Sequence, residues 1–200
     1  AGSHAVARGL ATELDKCNVK TLLVDTDPYN VTRAIAAGLR ARRMSVLAED
    51  ANHDLDLRGI GRLLAFTSND EVNALATARF ARVFGRREVF QLAPSARRSG
   101  DPSVPAEHLG RLIGIEGITY ATLDERSRQG WRVRTANGGE AIQQAVDDLL
   151  FLPVVRIVDH KMAFLCHNDP VPTEGEVIGL AAPSLQHQLD EESSIGQDAV

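Results

Sequence analysis

Lysine is scarce in this sequence of 200 residues: Lys16, Lys20 and Lys161 are the whole supply. None stands beside a tyrosine or at the end of a predicted strand. The stretch from Tyr120 to Asp124 lacks the lysine of a Tyr-x-x-x-Lys dehydrogenase pair, so the proton relay that such hydride-transfer enzymes need has no candidate. Positive charge is not in excess either. The formal net charge is −5, whereas a general nucleic-acid binder carries a basic surface, so no nucleic-acid partner is expected. The two cysteines, Cys17 and Cys166, lie far apart with no metal-ligand or redox spacing. They read as small reduced apolar residues of a cytoplasmic protein. Long apolar runs are missing too. The longest, 149–152 and on past Pro153 to Val155, is far short of the roughly 20 residues that span a bilayer. No basic stretch followed by an apolar core opens the chain, so no signal peptide is read. His160, His167, Asp159 and Asp169 flank one predicted strand but lack the spacing of a metal site, and they read as surface residues.

What is present is ordinary in bulk and specific in pattern. Apolar residues make up 44% and charged residues 24%, as in globular proteins generally. The length suffices for one full domain with its own core, or a domain and a smaller appendage. The chain is organised around Thr21-Leu22-Leu23-Val24-Asp25-Thr26-Asp27, a short apolar run ending in a carboxylate between two helical stretches. A strand buried on both faces by helices needs such a run. The chain opens at Ala1-Gly2, where a first strand should be ending, so the expectation is a fragment whose first strand lies upstream.

Val6, Ala7, Leu10, Ala11 and Leu14 fall at helical spacing and predict a helix over 5–17. Asn30 is the expected cap of a short helix ended by Gly38. Residues 45–48 are the next expected strand, closed by Glu49 and Asp50, with one helical turn expected over 55–58. A buried strand over 62–67 precedes a long helix capped by Ser68 or Asn69. Its expected buried stripe is Val72, Leu75, Ala76, Phe80, Val83 and Phe84, and a strand over 88–92 follows. This alternation predicts right-handed crossovers and a parallel, Rossmann-like α/β sheet over 1–94. Residues 95–106 read as a linker and 107–183 as a small α+β module. In that module strands are expected over 111–115, 131–135, 154–158, 162–165 and 176–180, with helices over 120–128 and 141–150. The polar, acidic stretch 184–200 reads as a disordered tail.

The candidate site follows from the first turn. A dinucleotide-binding fold places G-x-G-x-x-G/A between its first strand and helix: the glycines allow a tight turn, close approach of backbone to pyrophosphate and close helix–strand packing. Here Gly2 takes the first position, His4 the second and Ala7 the third. The imidazole at the second position obstructs that approach or offers itself to phosphate. Asp25 ends its strand about twenty residues on, where an acid receives ribose hydroxyls. It also fits the alternative of starting the turn, with Asp25 or Asp27 capping the next helix. A carboxylate there favours NAD(H) or an adenine nucleotide over NADP. Asp50, Thr67 and Asn73 are expected on the same carboxyl edge, where ligands collect in open α/β sheets, and Asn69 as a helix cap there.

Several blocks, in order, resemble one known module. They are Leu22-Leu23-Val24-Asp25-Thr26-Asp27, Ala37-Gly38-Leu39, the run from Asp56 to Ala65, the run from Asn69 to Ala76, and Val83-Phe84-Gly85-Arg86 leading into Glu88 to Pro94. The resemblance is to the RCK (regulator of K⁺ conductance) N-terminal domain, in the form fused to bacterial cation:proton antiporters. It covers about residues 1–94, and Pro172 to Leu180 resembles the tail of the same antiporters. The resemblance implies a non-catalytic, cytoplasmic, nucleotide-sensing domain, an upstream membrane transport domain in the same polypeptide, and pairing into a homodimer. Two other functions are open on the residues: an NAD-dependent oxidoreductase and a ligand-free Rossmann scaffold for assembly.

Overall fold

Short runs, apolar in part, give strands of only two or three residues in the first half of the chain. The computed structural model describes residues 1–49, 51–95, 109–167 and 169–197. Helix α1 (Ala5–Lys16) leads to β1 (Leu23–Asp25), α2 (Pro28–Ala36) and β2 (Ala41–Arg43), and β1 and β2 pair in parallel. After the single turn α3 (Ala51–Asp54) come β3 (Leu63–Ala65), α4 (Asp70–Phe84), β4 (Val89–Gln91) and β5 (Arg111–Leu112). The last three strands form a second parallel sheet in the order β3-β4-β5.

The two sheets do not pair directly. Ala1 and Gly2 lie between them and bond to both, as residues of a central strand do. The Ala1 amino group donates to the Leu64 carbonyl (2.5 Å), the Phe66 N–H donates to the Ala1 carbonyl (2.9 Å), and the Gly2 N–H donates to the Val24 carbonyl (2.7 Å). Beyond them, a cavity of about 500 Å³ separates β1 from β3, walled by apolar side chains such as Leu10, Leu14, Leu22, Leu63 and Phe80.

The second half is built differently. Helix α5 (Tyr120–Arg128) precedes β6 (Arg132–Asn137), α6 (Glu140–Asp147), β7 (Phe151–Val158), β8 (Lys161–Phe164), β9 (Glu176–Ala181) and α7 (Pro183–Gln197). The four strands make an antiparallel sheet in the order β6-β9-β7-β8. The expected turn at Asp159-His160-Lys161 is a tight hairpin whose central residues, Asp159 and His160, have φ of 50° and 58°. That is the twist that joins adjacent antiparallel strands.

Helix α1 joins the halves. Its apolar face is buried as the spacing predicts, with Val6, Ala7, Leu10, Ala11 and Leu14 all inside. Its other face lies on β6: a Cβ added at Gly9 would stand 3.0 Å from Val133 Cγ2, so a side chain there would push the helix off the sheet. Below it the buried Glu13 carboxylate accepts from Thr135 Oγ1 (2.9 Å) and Lys16 Nζ (2.7 Å). Cys17 Sγ reaches Glu176 Oε2 at 3.6 Å, and burial followed by that carboxylate pushes the thiol up to about 11. One apolar cluster therefore runs through both halves, from Leu10 and Phe66 to Trp131, Leu152 and Ile178.

Several expectations need correction. Strand β2 is Ala41–Arg43, not 45–48; Arg42 and Arg43 are exposed on the sheet's edge, where charged side chains are tolerated. Residues 45–48 turn instead, with Ser45 Oγ accepting from the Leu47 N–H (3.2 Å). Helix α2 is capped by Asp27, with Pro28 in its first turn, rather than by Asn30. The helical turn foreseen at 55–58 lies at Ala51–Asp54. Helix α4 is rotated relative to its expected stripe: Asn73, Ala74, Ala76, Thr77 and Phe80 are buried, while Leu75 is 58% exposed and Val83 43%. The polar pair is drawn inward because Asn73 bonds Thr67, and Thr77 Oγ1 lies 3.3 Å from Gln91 Oε1. Strand β5, assigned by sequence to the second module, pairs with β4 of the first. The expected linker 95–106 lies, apart from Ser95, outside the described residues. The stretch expected as a disordered tail begins as α7: Leu189 is buried, Gln186 Nε2 donates to the Gly130 and Ala181 carbonyls (3.0 and 3.1 Å), and Arg134 pairs with Asp190 (2.7 Å).

Candidate functional site

In the first half, strands are added outward from β1 to β2, and the chain then returns across Ala1-Gly2 to build β3, β4 and β5 on the other side. A crevice at the carboxyl ends of parallel strands, where the building direction reverses, is where open α/β sheets hold ligands. The structure has such a crevice, of about 380 Å³. Gly2, His4, Asp25 and Thr67 all line it, so four of the residues singled out by sequence share one opening. Asn30, Ser45, Asn69 and Tyr120 are also part of its wall. Asp50 lies outside the described residues.

Gly2 is required by its neighbour. Its φ is +100°, and a Cβ there would meet the Phe66 carbonyl oxygen at 2.3 Å, closer than any real contact. That same carbonyl receives His4: the imidazole Nε2 lies 2.9 Å away, and because a carbonyl can only accept, Nε2 carries the proton. The His4 ring stands edge-on to Phe66 (4.7 Å) and Tyr120 (4.9 Å). Burial, opposed by the Phe66 bond and Asp25, lowers His4 to about 4. At neutral pH it is therefore an uncharged wall of the crevice and supplies no positive charge to a phosphate.

Asp25 locks the first turn to the end of β1. Its Oδ2 accepts from the Ser3 N–H (2.7 Å), the Ser3 hydroxyl (3.1 Å) and Asn30 Nδ2 (3.5 Å), while Oδ1 accepts from the Asp27 N–H (3.0 Å). Burial alone would raise this carboxyl, but the N–H groups of Asp27 and Ser3, the Ser3 hydroxyl and the Thr26 N–H hold it below the ordinary range. A carboxylate offers about four acceptor sites, so these donors already engage Asp25 fully, the most weakly held being Asn30 at 3.5 Å. Asp25 thus both starts the turn and faces the crevice, and the capping of α2 falls to Asp27, whose Oδ1 accepts from the Tyr29 N–H (2.9 Å).

Asn73 does not face the crevice, which corrects its expected place. It is 2% exposed and grips Thr67 from behind: its Oδ1 accepts from the Thr67 N–H (3.0 Å) and hydroxyl (2.8 Å), and its Nδ2 donates to the Thr67 carbonyl (3.0 Å). It is a positioning residue. Asn69, expected as a cap, is one, its Oδ1 accepting from the Val72 N–H (3.0 Å). Ser3 is the residue that sequence reasoning missed. It is fully buried, and only its place inside the glycine turn hinted at a role. Among the described residues no group of three His, Cys, Asp or Glu side chains could hold a metal ion, and no helix is long and apolar enough to cross a membrane.

The order of these parts, a glycine turn into α1 and an acid closing the following strand, agrees with a family model that matches residues 1–99 and is described as the TrkA-N domain. Residues 1–99 belong to the TrkA-N family. The resemblance to RCK N-terminal domains over about 1–94 is to this same family. The TrkA-N segment holds every residue of the crevice except Tyr120, which α5 contributes from outside it. Among solved structures the chain is similar to the NAD(P)-binding domain of an exopolyphosphatase-related protein from Archaeoglobus fulgidus. That likeness has 22% identity and a TM-score of 0.46, and covers 64% of this chain and 91% of the other. No curated protein matches.

Proposed function

We propose that the TrkA-N segment is a non-catalytic nucleotide sensor that regulates a monovalent cation:proton antiporter. The observation that carries this reading is the convergence of Gly2, His4, Asp25 and Thr67 on one crevice at the switch of strand order, within a segment whose family is typically one of nucleotide-binding regulatory domains. An adenine nucleotide, NAD(H) included, is the ligand class, with a ribose hydroxyl taking the place of Asn30 Nδ2 on Asp25. The titratable groups at the rim suit binding better than turnover. Asp25 is held low, His4 is kept neutral on a carbonyl, and burial pushes Tyr120 up, so none is poised for proton transfer near neutral pH.

Regulation in this reading is a population shift. A ligand settling on the Gly2–His4 turn biases α1, and α1 is fastened to the C-terminal sheet through Gly9, Glu13 and Cys17. Coupling of roughly 1–3 kcal/mol is enough for such a bias. The chain acts in this reading as the cytoplasmic part of an inner-membrane transporter, paired with a second copy, and the upstream membrane domain is the recipient of the signal.

Scanning calorimetry with AMP, ADP, ATP, NAD⁺ and NADH tests it. A true ligand raises the unfolding free energy by about 2.7 kcal/mol at a hundredfold excess over its Kd, and Asp25→Ala reduces that rise. No change in melting temperature with any of the five sinks the sensor reading in favour of a scaffold.

A further inference from the structure

The wall between His4 and Tyr120 bears on which nucleotide can enter. In a dinucleotide site the second glycine of the turn leaves space for the pyrophosphate to cross the helix start and carry the second nucleoside to the far strands. Here that position is His4, the residue just before α1, and its ring is held on three sides. Nε2 donates to the Phe66 carbonyl, and the ring edges meet Phe66 at 78° and Tyr120 at 77°. Swinging it aside would break a buried hydrogen bond and two aromatic contacts together.

The far side of the wall is also closed. Tyr120 is the first residue of α5, and the chain just before it is bridged to the end of β4 by the parallel pair Ala93–Thr119. The crevice accordingly takes its lining from the ends of β1 and β3 and from the 44–46 turn, and from no residue of β4 or β5. Its volume of about 380 Å³ sits near the lower end of the roughly 300–1,000 Å³ typical of small-molecule sites. The near side remains furnished for one nucleoside: Asp25, whose 3.5 Å bond from Asn30 a sugar hydroxyl can replace, and Met44, Ser45 and Val46 for a flat ring.

Resting on the sensor reading above, we infer that His4, braced by Tyr120, restricts this crevice to ligands with a single sugar, a nucleoside 5′-monophosphate, and excludes dinucleotides bridged by pyrophosphate. His4 is the specificity-determining residue and Tyr120 its support.

Isothermal titration of the full 200-residue chain with AMP and with NAD⁺ tests this. The wild type binds AMP about tenfold or more tightly than NAD⁺, and His4→Gly moves the ratio of the two affinities toward NAD⁺ by about tenfold. Tyr120→Ala opens the same wall while leaving the glycine turn intact, and moves the ratio in the same direction; it serves if His4→Gly fails to fold by circular dichroism. Wild-type binding of NAD⁺ as tight as that of AMP overturns the restriction alone, as does an unchanged ratio in both variants. Silence of both ligands on all three proteins overturns the sensor reading and this inference with it.

Discussion

The two halves of the molecule use strands of different kinds. Around the crevice no strand exceeds three residues and the sheet is interrupted by a cavity. In the C-terminal half strands run from four to eight residues in one antiparallel sheet, with a register shift between Pro153 and Val155, whose inner strand β9 is buried along nearly its whole length. Backbone hydrogen bonds and apolar contacts are thus dense in one half and sparse in the other. Local opening follows contact density, so the crevice half yields first and the antiparallel sheet holds α1 while it does.

Truncating one phenylalanine in each half measures that contrast. Phe151, fully buried in β7, packs among Ala136, Ile142 and Val177, and Phe151→Ala is expected to cost about 3–5 kcal/mol by urea denaturation. Phe80 is also buried but already borders the cavity beside β1, so it has fewer neighbours to lose. Phe80→Ala should fall below that range. Equal losses would show that the cavity does not soften its surroundings.

Acid should act on the crevice half first. His4 is lowered to about 4, so the unfolded chain, with an ordinary histidine near 6.5, takes up the proton before the folded one. Stability from this group is complete above pH about 6.5 and declines as the pH falls toward 4, by up to about 3 kcal/mol. Asp25 and Asp124 face the ring and oppose this shift, while Arg8 adds to it. Replacing His4 by Phe should flatten the stability profile between those pH values; a profile left unchanged would remove His4 as its source.

The smallest effect is expected at α7. Arg134 and Asp190 pair at 2.7 Å with both side chains partly in water, so Arg134→Ala should cost about 0.2–1 kcal/mol. A loss of several kcal/mol would mean that α7 is integral to the antiparallel sheet rather than laid against it.

Much of this was legible in the residues. Leu22-Leu23-Val24-Asp25 could hardly be anything but a buried strand with an acid at its tip, and the apolar spacing of α1 predicted every apolar residue of its buried face, though not Glu13. What escaped were features where polar groups override the apolar pattern. Strand β2 is Ala-Arg-Arg, which no alternation reveals, because an edge strand is held by backbone bonds to one neighbour. The face of α4 turned because Asn73 found Thr67 in the preceding turn and Thr77 found Gln91 in β4, which helical spacing cannot foresee. The crevice was legible as a set of strand tips, with Asp25 among its lining residues. That Ser3 already holds Asp25 depends on a contact across 22 positions, and the setting of the His4 ring on one across 62 and on a helix from the other half.

The apolar cavity beside β1 has a practical side. Empty spaces walled by aliphatic and aromatic groups take up small nonpolar guests such as benzene or xenon. A solvatochromic dye of the kind that lights up on unfolding would therefore find lodging in the native protein and glow before any heat is applied. Melting is better followed through Trp131, the lone indole, 7% exposed and capped by the Arg126 guanidinium at 4.2 Å. Its emission would redden only when the seam between the halves comes apart.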